Sequence, residues 1–175
     1  RFKGCPLTTI AFRDGILAAD TQINIGNIKV AGASKIVALP NGDVLACAGH
    51  LDKVALAQAF FGQKNWKDKI DEAPIWEDGF EAILVSKGKL YYCTRNCVPY
   101  SVEHPFLSVG SGTDIAMAGM YTGLSAYDAV MLASELDIYT NNKVQVVNVQ
   151  DIQKEAVAKR AGRTINRKAA SKAIN

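Results

Sequence analysis

The sequence predicts a layered α+β domain, with two hairpin-built antiparallel sheets stacked face to face and a helical layer outside each. Three observations lead there. Hairpin patterns dominate the strands. Helical patterns arrive in blocks instead of alternating with each strand, which disfavours a doubly wound parallel sheet. Two stacked sheets with helices outside would also bury every apolar face these elements carry.

The elements follow in chain order. "TTIAFRDGILAAD", Thr8 to Asp20, is a hairpin closed at Arg13-Asp14-Gly15, read as a three-residue loop with glycine in the left-handed position. That register sets Phe12 opposite Ile16, Ile10 opposite Ala18 and Thr8 opposite Asp20. "TQINIGNIKVAGAS" reads as a polar, glycine-bearing loop. "KIVAL-PNGD-VLACAG" is strand, turn, strand. "HLDKVALAQAFFG" is a helix with Leu51, Val54 and Phe61 on one side and Gly62 as its stop. "QKNWKDKIDEAPIWEDG", punctuated by Pro74, is a helix extension or a loop. "FEAILVS-KG-KLYYCTR" is a second hairpin. "FLSVGSG" is a short buried strand entering a glycine turn, with "TDIAMAGMY" helical behind it. "SAYDAVMLASEL" opens on a Ser125/Asp128 capping pattern and sets Ala129, Leu132, Ala133 and Leu136 on one face. "KVQVVNV" is the last strand.

Composition narrows the function classes. The chain has 175 residues, 49% hydrophobic and 21% charged, which fits one globular domain with a real core. No apolar run approaches the roughly 20 residues of a membrane span, and no signal peptide is read. Cys5, Cys47, Cys93 and Cys97 are too few and too irregular for a disulfide framework, so reduced thiols in a cytoplasmic protein are expected. Cys93 and Cys97 lack a histidine cluster that would make them a metal site. The net charge of +3 is uneven. Residues 151–175 carry seven Lys/Arg against two Asp/Glu, and the remainder 13 against 15, so the final segment alone makes the chain basic. Such a segment reads as a solvated helix or tail, with nucleic acid the lesser reading.

The hairpin brings a threonine hydroxyl and an aspartate together at its open end. On its own that is a polar strand end. Six blocks, in order, change the reading: "TTIAFRDGILAAD", "SKIVAL", "ACAGHLDKVALAQAFF", "LSVGSGTDIAMAGM", "LSAYDAVMLASELDIYTNN" and "VQVVNV". Together they resemble the proteasome β-subunit superfamily, in particular its bacterial HslV peptidase branch, over roughly residues 8–150. The resemblance implies a four-layer αββα sandwich of the N-terminal nucleophile (Ntn) hydrolase type, and a threonine peptidase acting on unfolded polypeptide. It implies a homo-oligomeric double ring fed by an AAA+ ATPase unfoldase in the cytoplasm; no membrane partner is expected, and nucleic acid stays the lesser reading of the basic segment.

The resemblance also assigns residues. Thr8 matches the nucleophile, Asp20 the aspartate ending the second strand, and Lys35 the active-site lysine. Gly49 matches the glycine whose N–H helps form an oxyanion hole, and Ser111 the serine near the threonine amine. Ser134, Asp137 and Thr140 fall where backbone oxygens hold a sodium ion, a structural ion with no part in the chemistry. Glu135 stands where the family has an aspartate close to the site. The chemistry is coherent: a threonine hydroxyl needs a base, and a free α-amine with a pKa of about 7.7–8.0 can serve from the same residue. A nearby ammonium stabilises charge at the nucleophile. His50 and His104 have no triad partners and read as a helix-start and a loop histidine.

Two departures follow. The hairpin is four residues shorter than the HslV-like pattern, two from each strand, which keeps Thr8 opposite Asp20. Leu7 precedes Thr8, so the threonine nitrogen in this chain is an amide. Residues 1–7 are thus expected to be an extension or propeptide, 8–150 the hydrolase domain and 151–175 a basic extension. Two other readings are a non-catalytic ring subunit with a blocked N-terminus, and an amidohydrolase using Cys5.

Overall fold

The computed structural model describes residues 7–25, 28–75, 79–95 and 98–155. Two sheets carry the architecture. β1 (Thr9–Arg13), β2 (Ile16–Asp20), β10 (Phe106–Gly110) and β11 (Val144–Asn148) form a four-stranded antiparallel sheet in the order β10-β1-β2-β11. β5 (Ile36–Ala38), β6 (Val44–Gly49), β7 (Phe80–Ser86), β8 (Lys89–Thr94) and β9 (Tyr100–Val102) form a five-stranded sheet in sequence order. α1 (Leu51–Phe61) covers the five-stranded sheet, and α2 (Thr113–Tyr121) and α3 (Ala126–Leu136) cover the other.

Three apolar clusters correspond to the three interfaces of a four-layer αββα sandwich. Ile10, Leu17 and Ala19 meet Val44, Ala46, Ile83 and Val85 between the sheets. Leu45, Ala82, Leu84 and Cys93 meet Ala57, Phe60, Phe61 and Trp66 beneath α1. Ala11, Ala18 and Phe106 meet Ala116, Met120, Ala129 and Val130 beneath α2 and α3. Strand side chains alternate between faces, so a strand buried on both sides must be apolar throughout, as "VLACA" in β6 is. Phe61 is fully buried, and truncating it to alanine is expected to cost about 3–5 kcal/mol. Trp66 begins a 3-10 helix, Trp66–Glu72, and its indole N–H donates to Asp43 Oδ2 at 3.1 Å. The segment expected as helix extension or loop is therefore a short helix anchored through its tryptophan.

The structure corrects the sequence reading in four places. The first hairpin closes at a two-residue turn, Asp14 (φ 51°) and Gly15 (φ 79°), both left-handed as a type I′ turn requires. Arg13 then pairs Ile16 and Ile10 pairs Ala19, so Thr9, not Thr8, lies in register with Asp20. This slip sends Ile10 and Leu17 together into the inter-sheet core and leaves the small Ala11 and Ala18 beneath the helices, whereas the expected register would have split the large residues. Second, the expected loop after Asp20 contains a hairpin of β3 (Gln22–Ile25) and β4 (Ile28–Ala31). Its alternation of isoleucine and valine with polar residues is a strand signal that glycine and asparagine obscured. Third, of the residues expected on one side of α1, Phe61 is buried but Leu51, at the first position, is 65% exposed, and Ala57 and Phe60 are buried beside Phe61. Fourth, α3 buries Ala126, Ala129, Val130 and Ala133, while Leu132 and Leu136 are exposed.

The Ser125 cap of α3 is present, its hydroxyl accepting the Asp128 N–H at 3.1 Å. Residues 149–155 are helical and run through the expected boundary at 150. Cys5, Cys97, most of the N-terminal extension and residues 156–175 lie outside the described residues. Among the described residues, no helix is long and apolar enough to cross a membrane.

Candidate active site

The four-stranded sheet delivers Thr8 and Asp20 to one end, and the segment entering β5 delivers Lys35 from the other sheet. The Asp20 carboxylate is fully buried and collects donors. Its Oδ1 accepts the Thr8 hydroxyl and, at 2.9 Å, the Thr9 N–H, while Oδ2 accepts the Gln22 N–H at 2.8 Å and the Asn141 N–H at 3.4 Å. The one-residue slip therefore leaves the Thr8–Asp20 contact intact, because the β1–β2 ladder has ended and the carboxylate reaches back to Thr8.

Lys35 closes the cluster. Its Nζ lies 2.9 Å from Asp20 Oδ1 and donates to the Thr8 hydroxyl oxygen. Its side chain is 10% exposed and that of Asp20 is 0%. Burial pushes the Lys35 ammonium below its ordinary pKa, and the Asp20 carboxylate, with a smaller contribution from Asp137, opposes that shift. Gln145 of β11 holds the segment in place: its Oε1 accepts the N–H groups of Lys35 at 3.0 Å and Ile36 at 3.2 Å.

Ser111 meets Thr8 from the other side. The Thr8 N–H donates to Ser111 Oγ at 3.2 Å, and the Ser111 hydroxyl donates to Asp137 Oδ2 at 2.6 Å. Thr140 donates to the same oxygen at 2.6 Å and lies 2.6 Å from the Thr9 hydroxyl oxygen. Glycine is required around this network. A Cβ on Gly110 would fall 2.1 Å from the Thr8 carbonyl oxygen, and one on Gly112 would fall 2.1 Å from Thr9 Oγ1.

Thr8, Lys35 and Gly49 line one cavity of about 400 Å³, together with Cys47, His50, Val54 and residues 22–25. Gly49 has φ +143°, and a Cβ there would meet Gly79 O at 2.4 Å. The structure thus brings Thr8, Asp20, Lys35 and Ser111 into direct contact and sets Gly49 on the same cavity. His50 precedes α1 and His104 Nδ1 pairs with Phe106 O at 2.9 Å, so neither joins the cluster.

Ser134, Asp137 and Thr140 gather at the C-terminal end of α3. A final helical turn leaves carbonyl oxygens without N–H partners at the negative end of the dipole, and hard cations take such oxygen donors. Of the three residues expected to hold sodium through backbone oxygens, only Ser134 lies in that turn, and Asp137 O accepts the Thr140 N–H at 3.1 Å. No group of three or more His, Cys, Asp or Glu able to hold a metal occurs among the described residues. The Asp137 side chain is the larger finding. Sequence reasoning used Asp137 only for its backbone and set Glu135 near the site, yet Glu135 is exposed and the carboxylate on Ser111 belongs to Asp137. Thr140 was named for its backbone alone, and the side-chain roles of Thr9, Thr140 and Gln145 carried no sequence signal beyond their polarity.

No protein-family model matches the chain. Two relatives are the ATP-dependent protease subunits HslV of Thermosipho melanesiensis and Thermosipho africanus, each 28% identical over 75% of this chain and 89% of the relative. Among solved structures, Thiobacillus denitrificans BPH in complex with epoxomicin superposes with a TM-score of 0.61 at 19% identity, covering 80% of this chain and 96% of that one. HslV from Trypanosoma brucei gives a TM-score of 0.61 at 16% identity, covering 80% and 97%. At these identities the structural likeness establishes the fold.

Proposed function

We propose that this chain, which resembles the proteasome β-subunit/HslV-like Ntn hydrolases in both sequence and fold, is a threonine peptidase with Thr8 as its nucleophile. The observation that carries this reading is the Thr8 hydroxyl held between Asp20 and Lys35 on a cavity wall, with its nitrogen 3.2 Å from Ser111.

Cleavage of the Leu7–Thr8 bond frees the α-amine. The Thr8 oxygen then attacks a substrate carbonyl, and its proton passes to that amine. The Lys35 ammonium favours the alkoxide-like oxygen, and the Gly49 N–H is the donor for the tetrahedral oxyanion, a contribution typically worth about 3–4 kcal/mol. Collapse breaks the C–N bond, the leaving amine takes the proton, and water hydrolyses the threonyl ester. Backbone oxygens of Ser134, Asp137 and Thr140 would hold a sodium ion that braces the loop carrying Asp137. The substrate is unfolded polypeptide, admitted to a homo-oligomeric double ring by an AAA+ unfoldase, a reading that follows the family resemblance; the relatives' description as ATP-dependent protease subunits supports ATP dependence and assembly from subunits.

Hydrolysis of a fluorogenic peptide by the wild type and by Thr8→Ala, with size-exclusion chromatography of both, tests this. Loss of turnover in Thr8→Ala with a large oligomer retained supports it. Unchanged turnover in Thr8→Ala excludes Thr8 as nucleophile. A second reading has one observation behind it: Leu7 lines the same cavity as Thr8, as it would in a blocked, non-catalytic subunit. An inactive wild-type ring with Leu7 still attached would favour that reading.

A further inference from the structure

The two sides of the Thr8 site sit on different sheets, and one carboxylate outside the network above joins them. Glu81 lies in β7 in register with Ala48 of β6, the residue before Gly49. Strand alternation puts Glu81 on the same face as Ile83 and Val85, which belong to the core between the sheets. Glu81 is thus an ionisable group at the open end of an apolar interface. Its Oε2 accepts the Gly110 N–H at 2.8 Å, and its Oε1 accepts the Tyr92 hydroxyl at 2.9 Å.

Gly110 ends β10, one of the two edge strands of the four-stranded sheet. Its φ of +101° turns the chain out of the strand, and its backbone packs so closely on Thr8 that no side chain fits. The next residue is Ser111, whose oxygen accepts the Thr8 N–H. Fixing the Gly110 peptide therefore fixes where Ser111 points.

We propose that Glu81 is a positioning residue for the Thr8 site. Its carboxylate spans the two sheets and, through the Gly110 amide, sets Ser111 and the Thr8 main chain against the Lys35 and Gly49 side of the cavity. This rests on the peptidase reading. A charged acceptor makes a shorter and stronger bond to N–H than a neutral one. Removing it strands a partly buried donor. Tyr92 completes the strut: burial raises its phenol above its ordinary value, with Glu81 adding to the shift, so it remains a donor to the carboxylate.

The test compares Glu81→Ala, Glu81→Gln and Tyr92→Phe in the full chain, by steady-state peptide hydrolysis and by amide hydrogen exchange over residues 106–112. Glu81→Ala is expected to lower kcat roughly 10- to 100-fold, the range for a site displaced by up to an ångström, with KM within about twofold. Glu81→Gln, which keeps an acceptor for Gly110, and Tyr92→Phe, which keeps the Glu81–Gly110 bond, should each stay within roughly threefold of wild type on the same grounds. Exchange at Gly110 should accelerate in Glu81→Ala alone. Where Glu81→Ala fails to fold, Glu81→Asp, one methylene shorter, takes its place. Unchanged kcat in the truncated variant, or an equal loss in Glu81→Gln, overturns the proposal. If the wild type hydrolyses no peptide, the peptidase reading fails by itself. The exchange comparison then decides Glu81: faster exchange at Gly110 supports the strut, and unchanged exchange overturns it.

Discussion

The Lys35 ammonium lies 2.9 Å from the Asp20 carboxylate, and the Thr8 hydroxyl bonds to both. A buried pair of this kind contributes more to arrangement than to stability, but breaking it leaves a charge uncompensated. Lys35→Ala is expected to lower kcat by about 10²–10³-fold and to destabilise the fold by about 3 kcal/mol, the lower end of the usual range. Backbone N–H groups of Thr9, Gln22 and Asn141 still hold Asp20, which is why the cost stays low in that range. Peptide kinetics and denaturant titration measure the two effects.

The same residue predicts a pH dependence. Burial lowers the Lys35 pKa in the folded state from 10.5, so between that lowered value and 10.5 the unfolded chain binds more protons than the folded one. Stability contributed by this group therefore rises with pH across that window, at no more than about 1.4 kcal/mol per pH unit. Lys35→Arg keeps its charge and should lack the rise. Denaturant unfolding of the two proteins from pH 7 upward checks it, and parallel curves would contradict the sign.

Ser111 and Asp137 should behave as one unit, because the Asp137 carboxylate accepts the Ser111 hydroxyl whose oxygen in turn accepts the Thr8 N–H. Ser111→Ala is expected to lower kcat roughly 30-fold, about 2 kcal/mol of lost positioning. Adding Asp137→Ala to Ser111→Ala should cost much less than Asp137→Ala alone. A double-mutant cycle in kcat measures the coupling, and additive losses would separate the two residues.

Gly49→Ala should be among the most damaging single-methyl changes in the chain. Its φ of +143° disfavours any side chain, and the new Cβ would press to 2.4 Å from Gly79 O. Destabilisation of about 2–4 kcal/mol is expected, with loss of activity in whatever fraction remains folded. Thermal melting and peptide turnover report the two.

Much of this was legible in the chain. "KIVAL-PNGD-VLACAG" signalled a strand pair, and Arg13-Asp14-Gly15 signalled the first hairpin, because each depends on neighbours in sequence. The hairpin register was not, since it depends on which face must hold Ile10 and Leu17 together, a tertiary demand. At the site, Thr8, Asp20, Lys35 and Ser111 were named because collinear blocks resemble a family, and the structure brings those four into contact. Asp137 was named for its backbone because nothing local shows that a side chain beyond α3 turns toward Ser111. Glu81 and Gln145 were invisible for a related reason: each joins elements far apart in sequence through one hydrogen-bonded side chain.

For Thr8 to act with its own free amine, the bond to Leu7 must be absent from the working enzyme. Intact-mass measurement of the active oligomer, before and after reaction with a threonine-directed epoxyketone, decides it. A chain beginning at Thr8 that gains one inhibitor mass is expected, with no gain in Thr8→Ala. Full peptidase activity from subunits that all retain residues 1–7 would contradict it.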